Sequence, residues 1–399
     1  MKLFASPASC LRFMPLCSAA ILLVTICVSV FSLEAQSKPK LPKPQRMDTD
    51  VTLRRDATSG ELTYRRGQAL VQKQANEVPD SLVLRTNVRL VEVNCNVLSG
   101  DGADLKGLEQ GDFRVFQDDI EQEVEHFDAS SEAASLALIF DASPSVTRDL
   151  EEMKHAARTL AASLAPADEV AVVAVERDSI LVLPFSKDRA LLEEAIGKIQ
   201  IVRDIDKRSE SNVYGAVYLA AKQLFPGRTG RKAIVLLTDG QDSGLRLDWY
   251  SRRLPFPPGE APSRLYFEDV ARALSAGGIE AYAISTEPRP KAMTAEWLQR
   301  NQNRNLIREE TRKAGIPHYT AYLAELVRVA GGRLFFLRES DTLSVVYQRI
   351  AENLRTQYSL GFYGGKADGN WHTLRVEVRG RGDVGVKHRV AYFAGKEEE

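Results

Sequence analysis

The sequence predicts an α/β fold with a doubly wound, mostly parallel sheet. Residues 136–140 form a continuous apolar run of the kind that is buried on both faces of such a sheet. From there to residue 354, apolar strand patterns alternate with helix-period patterns. Both ends of the chain show short alternating patterns instead, so β-rich N- and C-terminal segments flank the α/β region.

The alternation defines the elements that we expect in the α/β region. The predicted strands cover residues 136–140, 169–175, 233–237, 279–285 and 333–337. The predicted helices cover residues 150–164, 189–199, 213–224, 267–275, 321–330 and 343–354. The charged segment 293–314 is predicted to be a helix inserted after a strand.

Composition and patterning divide the chain into five segments. These are a signal peptide or anchor (1–35), a flexible linker without secondary structure (36–83), an N-terminal β segment (84–130), the α/β domain (134–356) and a C-terminal β segment (357–395). We expect the two β segments to pair into one β-sandwich, because each would cover exposed strand edges of the other.

The N-terminus has the pattern of an export signal. Lys2 and Arg12 precede an apolar run over 13–33, and Ala35 supplies a small residue for cleavage. The run is nearly long enough to cross a bilayer, so an uncleaved membrane anchor is the alternative. More positive side chains follow the run than precede it, which favours cleavage near Ala35. We therefore expect a secreted, periplasmic or cell-envelope protein.

Charge and cysteine content exclude several partners and sites. The 53 lysines and arginines balance 54 acidic residues, so we expect no nucleic-acid partner and no membrane contact beyond a possible anchor. Three of the four cysteines, Cys10, Cys17 and Cys27, lie in the leader. The remaining Cys95 can form neither an internal disulfide nor a thiolate metal site by itself.

Polar side chains follow two of the predicted buried strands. Asp141, Ser143 and Ser145 follow the first, and Asp239 follows the strand over 233–237. Open α/β sheets bind ligands at the carboxyl ends of their strands, and oxygen ligands suit Mg²⁺, with Mn²⁺ or Ca²⁺ as alternatives to it. Few histidines and thiols are available for zinc. An isolated Asp-x-Ser-x-Ser more often marks a turn or helix cap, but this position favours a metal site.

Together the two motifs resemble the metal-ion-dependent adhesion site of the von Willebrand factor A (VWA) family. The motifs are Asp141-x-Ser143-x-Ser145 and Thr238-Asp239-Gly240. The resemblance covers about residues 134–355. Within the family, the chain is most similar to bacterial VWFA-related secreted proteins, whose marks here are residues 111–118, 329–336 and 357–363. That subgroup resemblance extends over about residues 84–395.

The resemblance implies a ligand set and a mode of binding. The implied metal ligands are Asp141, Ser143, Ser145, Ser211 and Asp239. The serines next to Asp141 would ligate through their hydroxyls, and the two aspartates would hold the metal directly or through waters. Ser211 stands where the family has a threonine, and Ser209 is an alternative for that role. One coordination position would stay open for an Asp or Glu of a protein partner.

The residues favour binding over catalysis. A phosphohydrolase of the haloacid dehalogenase type would use Asp141 as its nucleophile but needs a second aspartate where Ser143 stands. Neither a Gly-x-Ser-x-Gly elbow nor a phosphate-binding loop is present. The leader disfavours a third class, a subunit of an intracellular ATPase-associated complex. The tripeptide 381–383, Arg-Gly-Asp, is predicted to be a hairpin turn. We expect a non-enzymatic protein that mediates metal-dependent protein–protein interaction or adhesion.

Overall fold

The structure is a computed structural model, and it describes residues 40–48, 51–55, 62–66, 90–100, 103–129, 132–175, 177–201, 211–242, 265–301, 304–337, 350–365, 367–381 and 384–395. The predicted leader, Ser209 and most of the tripeptide 381–383 lie outside these residues. Within the described residues, no helix combines the length and the apolarity needed to cross a membrane.

The secondary structure alternates strands and helices through the middle of the chain. The strands are β1 Gln45–Arg46, β2 Val51–Arg55, β3 Leu62–Arg66, β4 Leu90–Leu98, β5 Phe113–Gln117, β6 Ile120–Gln122, β7 His126–Asp128, β8 Ala134–Asp141, β9 Glu169–Val175, β10 Ser179–Ser186, β11 Arg231–Thr238, β12 Ile279–Ser285, β13 Leu334–Phe336, β14 Tyr358–Tyr363, β15 Trp371–Val378, β16 Gly385–His388 and β17 Ala391–Phe393. The α-helices are α1 Leu150–Ser163, α2 Arg189–Lys198, α3 Val213–Gln223, α4 Phe267–Gly277, α5 Ala295–Asn301, α6 Glu309–Lys313 and α7 His318–Ala330. Residues 350–355 are also helical.

A seven-stranded sheet forms the centre of the α/β region, in the order β1-β10-β9-β8-β11-β12-β13. The strands from β9 to β13 in this order pair in parallel, whereas β10 and β1 are antiparallel additions at one edge. The predicted mostly parallel α/β fold is therefore confirmed. β10 lies where no strand was predicted. Its Pro184 weakens the strand pattern, and the β9–β10 register shifts next to that residue.

Side chains of β8 explain why the sheet is covered on both faces. Leu136, Leu138 and Phe140 pack into one core with α1 and α2, whereas Ala137 and Ile139 pack into a second core with α3, α4 and α7. Successive residues of a strand point to opposite faces, so an uninterrupted apolar run requires helices on both.

The two β-rich ends of the chain form two four-stranded antiparallel sheets, with the orders β16-β4-β14-β7 and β17-β15-β5-β6. Each sheet combines strands from before and after the α/β region, and one apolar core includes Val93, Val115, Leu360 and Val376. The predicted pairing of the two ends is therefore confirmed. The ends belong together because neither one has enough strands to bury this core alone.

The described residues of 40–66, which we call the N-terminal strap, correct the prediction of a linker without secondary structure over 36–83. β1 extends the central sheet, and Met47 N donates to Ser179 O at 2.8 Å. The hairpin of β2 and β3 contributes Leu53 and Tyr64 to the core beneath α3 and α4. The prediction of one inserted helix over 293–314 is also wrong, because the structure has two short helices there, α5 and α6.

Candidate metal centre

The loop after β8 brings three of the predicted ligands together. Asp141 is the last residue of its strand and is completely buried, and its Oδ1 accepts from the Ser143 backbone N–H at 3.0 Å. Pro144 starts a single 3₁₀ turn over Pro144–Val146. Because this turn folds the loop back, the hydroxyls of Ser143 and Ser145 lie 2.9 Å apart.

The loop after β11 meets the first loop because β11 is the parallel neighbour of β8, with Leu237 opposite Phe140. Thr238 donates its hydroxyl to Asp141 Oδ2 at 2.6 Å. Asp239 accepts from the Gln241 backbone N–H at 2.8 Å and from the Ser145 hydroxyl. Four predicted ligands, Asp141, Ser143, Ser145 and Asp239, therefore lie in one hydrogen-bonded cluster with Thr238.

The third loop reaches the same edge of the sheet at the start of α3. Ser211 is buried and directly precedes Asn212, the N-cap residue of α3. The backbone N–H of Tyr214, in the first turn of that helix, donates to Asp242 Oδ2 at 3.1 Å. Since Asp242 lies three residues after Asp239, the start of α3 is joined to the second ligand loop.

Burial and mutual repulsion disfavour the charged forms of the two aspartates. Burial raises the pKa of Asp141 to about 6, hydrogen bonds from Ser143 and Thr238 lower this pKa, and the charge of Asp239 raises it. Burial also raises the pKa of Asp239, with a smaller contribution from Asp149. Among the described residues, neither aspartate forms an ion pair with a lysine or arginine. A divalent cation would supply the missing positive charge.

The donor set fits a hard cation. It consists of carboxylate and hydroxyl oxygens, which Mg²⁺, Mn²⁺ and Ca²⁺ prefer. In the described part of the chain, no group of three or more His, Cys, Asp or Glu side chains could hold a metal ion. The cluster differs from such sites because serines, Ser143 and Ser145, provide two of its four predicted ligands. The residues present would thus hold a metal through Asp141, Asp239 and the serines, with Ser211 approaching from the third loop.

Two residues of the site were not among the predicted ligands. Thr238 belongs to the quoted motif but had no role assigned, and it binds both Asp141 and, at 2.8 Å, the backbone N–H of Gly240. Asp242 follows the motif and caps α3. Gly240 has a φ of +84°, and a Cβ there would lie 2.7 Å from Leu323 Cδ1. The left-handed backbone favours glycine, and a Cβ here would force the Leu323 side chain to shift.

The fold and the cluster define an α/β domain with an oxygen-rich site at the carboxyl ends of neighbouring parallel strands. Residues 136–241 match the family model for the von Willebrand factor type A domain. The chain therefore contains a VWA domain, as the two motifs predicted. A comparison with curated proteins found no match.

Solved structures that are similar to the chain include the following three. An aerotolerance-related membrane protein from Bacteroides fragilis is 16% identical, with 56% of this chain and 98% of the other covered and a TM-score of 0.38. A von Willebrand factor type A protein from Catenulispora acidiphila is 14% identical, with 80% and 77% covered and a TM-score of 0.37. Proximal thread matrix protein 1 from the mussel byssus, with a zinc-occupied MIDAS motif, is 15% identical, with 60% and 49% covered and a TM-score of 0.38.

Proposed function

We propose that this is an exported, non-enzymatic protein that binds a divalent metal and uses it to hold a protein partner. The metal is Mg²⁺, with Mn²⁺ and Ca²⁺ as alternatives. Its ligands in this proposal are Asp141, Ser143, Ser145, Ser211 and Asp239. The partner supplies an Asp or Glu carboxylate to the coordination position that the chain leaves open, and the outcome is metal-dependent protein–protein interaction or adhesion.

One observation carries the proposal. Two buried carboxylates, Asp141 and Asp239, share a cluster with two serine hydroxyls, and no cationic side chain in the described residues is paired with either carboxylate. A buried carboxylate without a compensating cation is costly, whereas a bound divalent ion both neutralises it and uses the hydroxyl oxygens. A hydrogen-bonded turn would need the hydroxyls but would gain nothing from a second buried carboxylate.

The cluster is also open on one side, which supports a role in binding a partner. Asp141 and Ser143 are buried, whereas Pro144 and Ser145 are exposed. A metal held by two carboxylates is roughly neutralised, and it accepts a further anionic oxygen when only some of them touch it directly. Catalysis is disfavoured because Ser143 stands beside Asp141, where a phosphohydrolase would need its acidic residue.

The proposal of export rests on the N-terminal pattern. Export would place the interaction with the partner outside the cytoplasm. The charged start, apolar run and Ala35 favour a mature protein that begins near Gln36 and lies outside the cytoplasm. N-terminal sequencing of the protein recovered from its native cells measures this. A product that starts at Met1 and sediments with membranes would replace secretion with an N-terminal anchor.

Titration of the mature chain with MgCl₂ by calorimetry tests metal binding. We expect Asp141→Ala to lose at least about a hundredfold in affinity, because it removes a charge and a strand-end ligand, and Ser211→Ala to lose less. Glu194→Ala, which removes an exposed carboxylate on α2, is the matched control and should bind like the wild type. Absence of binding at millimolar Mg²⁺ in the wild type would overturn the proposal.

Partner capture with the immobilised chain tests the second half of the proposal. Proteins retained in Mg²⁺ should be released by EDTA, and Asp141→Ala should retain none of them. If the same proteins stay bound in EDTA and on Asp141→Ala, the metal does not mediate the interaction. Glu194→Ala again serves as the control for a general change in surface charge.

A further inference from the structure

The loop after β11 does more than present Asp239. Three residues after Asp239 it carries Asp242, whose Oδ2 accepts from the Tyr214 backbone N–H at 3.1 Å. The next N–H of α3, that of Gly215, donates to Asn212 Oδ1 at 3.2 Å. The first N–H groups of a helix have no partner within it, so side chains must supply one. Of these two acceptors, Asn212 belongs to the segment that leads into α3, whereas Asp242 belongs to the loop after β11.

The helix that Asp242 caps cannot shift independently. Every residue from Val213 to Ala221 is buried, and Tyr214 is completely enclosed, with aromatic contacts to Phe267 and Tyr322. The helix start is therefore a fixed point in the domain. A hydrogen bond from this point holds Asp242 in the segment after β11, and Ser211 lies only three residues before Tyr214.

Hydrogen bonds within the loop after β11 restrict its conformation. Gly240 N–H is held by the Thr238 hydroxyl at 2.8 Å, and Gln241 N–H by Asp239 Oδ1 at 2.8 Å. Successive side-chain to backbone bonds of this kind leave the loop little freedom. Holding Asp242 therefore also holds Asp239, three residues before it.

We infer that Asp242 is a positioning residue of the metal site. It joins the loop that carries Asp239 to the segment before α3 that carries Ser211. The distance between these two ligands, which come from separate loops, therefore stays constant. The inference rests on the proposed function, because it assigns Asp242 an effect on metal affinity through two ligands. The carboxylate also lies at the positive end of α3, where a negative charge is favoured.

The test compares two helix-capping aspartates. Asp242→Ala removes the link to the site. Asp188→Ala removes the cap of α2, where Asp188 Oδ1 accepts from Ala190 N at 2.8 Å and Leu191 N at 3.2 Å, away from the ligand loops. Both variants lose one helix cap, so thermal melting should show similar small losses. Asp242→Asn keeps an oxygen that can accept from Tyr214.

MgCl₂ titration of the full mature chain gives the decisive readout. We expect Asp242→Ala to bind Mg²⁺ about 10–100-fold more weakly, Asp188→Ala to bind like the wild type, and Asp242→Asn to recover most of the loss. Equal affinities in the wild type and Asp242→Ala would overturn this inference and leave the proposed function standing. A wild type that binds no divalent ion would overturn both. If Asp188→Ala lost as much Mg²⁺ affinity as Asp242→Ala, the cause would be general destabilisation, and the inference would also be overturned.

Discussion

At the scale of single residues, Thr238 joins the two strand-end loops. Its buried hydroxyl donates to Asp141 Oδ2 and accepts from the Gly240 N–H. Thr238→Val keeps the shape of the side chain and removes both hydrogen bonds. We expect Mg²⁺ affinity to fall about tenfold and the free energy of unfolding to fall by about 1–3 kcal/mol. Calorimetric titration and urea denaturation measure the two effects.

Thr320→Val is the matched control for this variant. Thr320 is equally buried, but its hydroxyl has no hydrogen-bond partner among the described residues. Replacing a buried hydroxyl that makes no bond should leave metal affinity unchanged and stability unchanged or slightly higher. If both valine variants behave alike, Thr238 has no special role in the site.

The sequence predicted which residues form this cluster, but not the hydrogen bonds that connect them. Asp141 and Asp239 could be found because each follows an apolar run, and parallel strands end at one edge of a sheet. The roles of Thr238 and Asp242 depend on which loops touch, which no local pattern records. That the five predicted ligands hold a metal stays a prediction until titration.

A second residue-scale prediction concerns acid stability. His388 is half-buried between two backbone groups, with Val376 N–H donating to Nε2 at 3.2 Å and Nδ1 lying 2.7 Å from Arg389 O. Burial lowers the pKa of His388 below its ordinary value of 6.5. The hydrogen bond to the Arg389 carbonyl raises this pKa and the Arg389 charge lowers it. The folded state therefore favours the neutral ring, in which Nδ1–H donates to Arg389 O.

The sign of the pH effect follows from proton uptake. As pH falls through 6.5, the unfolded chain protonates His388 while the folded chain does not, so the free energy of unfolding decreases. The loss ends once pH passes below the lowered pKa of the folded state. His388→Gln removes this contribution, so its stability should fall less than that of the wild type between about pH 8 and pH 5. Equal losses in urea titrations of the two proteins would contradict the prediction.

At the scale of elements, local pattern predicted the buried strands and failed for elements that depend on distant partners. β9 and β12 match their predicted bounds, 169–175 and 279–285, because apolar residues dominate both. The N-terminal strap was missed because its short strands are stabilised mainly by α3, α4 and β10, which lie far along the chain. Charged and polar residues within the strap gave it the composition of a linker.

Arg55 anchors the strap, and it provides the test of that element. Its guanidinium forms a buried ion pair with Asp269 and lies 4.2 Å from the Tyr266 ring centroid. Arg55→Met leaves Asp269 buried without its partner, and such a loss costs about 3–5 kcal/mol unless the hairpin detaches. We expect faster hydrogen exchange in β2 and β3 with the α/β core still protected.

Arg46→Ala is the control for the strap. Arg46 pairs with Asp48 and Asp178 in an exposed position, where ion pairs contribute little. Its removal should leave the exchange of β2 and β3 unchanged. If Arg46→Ala and Arg55→Met loosen the hairpin equally, the buried pair does not anchor the strap.

At the scale of the whole molecule, the α/β domain is inserted into a β-sandwich, and a buried polar joint connects the two. Glu280, at the start of β12, accepts two hydrogen bonds from Gln357 Nε2, at 2.8 and 2.7 Å, and one from Tyr282. Arg231, at the start of β11, donates to Gln357 O at 2.8 Å. Alternating sequence at both ends predicted the sandwich, whereas the joint depends on groups brought together only by the fold.

Because these groups are buried and hydrogen-bonded to one another, separating the sandwich from the α/β domain would break these bonds at a cost, and we expect one cooperative unfolding transition. Cys95 reports on the sandwich. It is 1% exposed in β4, opposite Tyr358, and burial raises the pKa of its thiol, so it is unreactive while the sandwich is closed. A chain expressed from Gln36 onward has no other cysteine. Labelling with a thiol reagent should share its urea midpoint with far-UV circular dichroism, to which all the helices of the α/β domain contribute.

Gln357→Leu should separate the two signals. It removes both hydrogen bonds from the side chain of Gln357 to Glu280 and leaves a buried carboxylate with fewer donors. Labelling of Cys95 should then occur at lower urea than the loss of circular dichroism, because the sandwich can open while the α/β domain stays folded. Gln241→Leu, exposed in a ligand loop at the opposite edge of the sheet, should keep the midpoints together. If the wild type already labels before its helices unfold, the joint does not couple the two parts. If Gln357→Leu keeps coincident midpoints, the coupling comes from the apolar contacts between them.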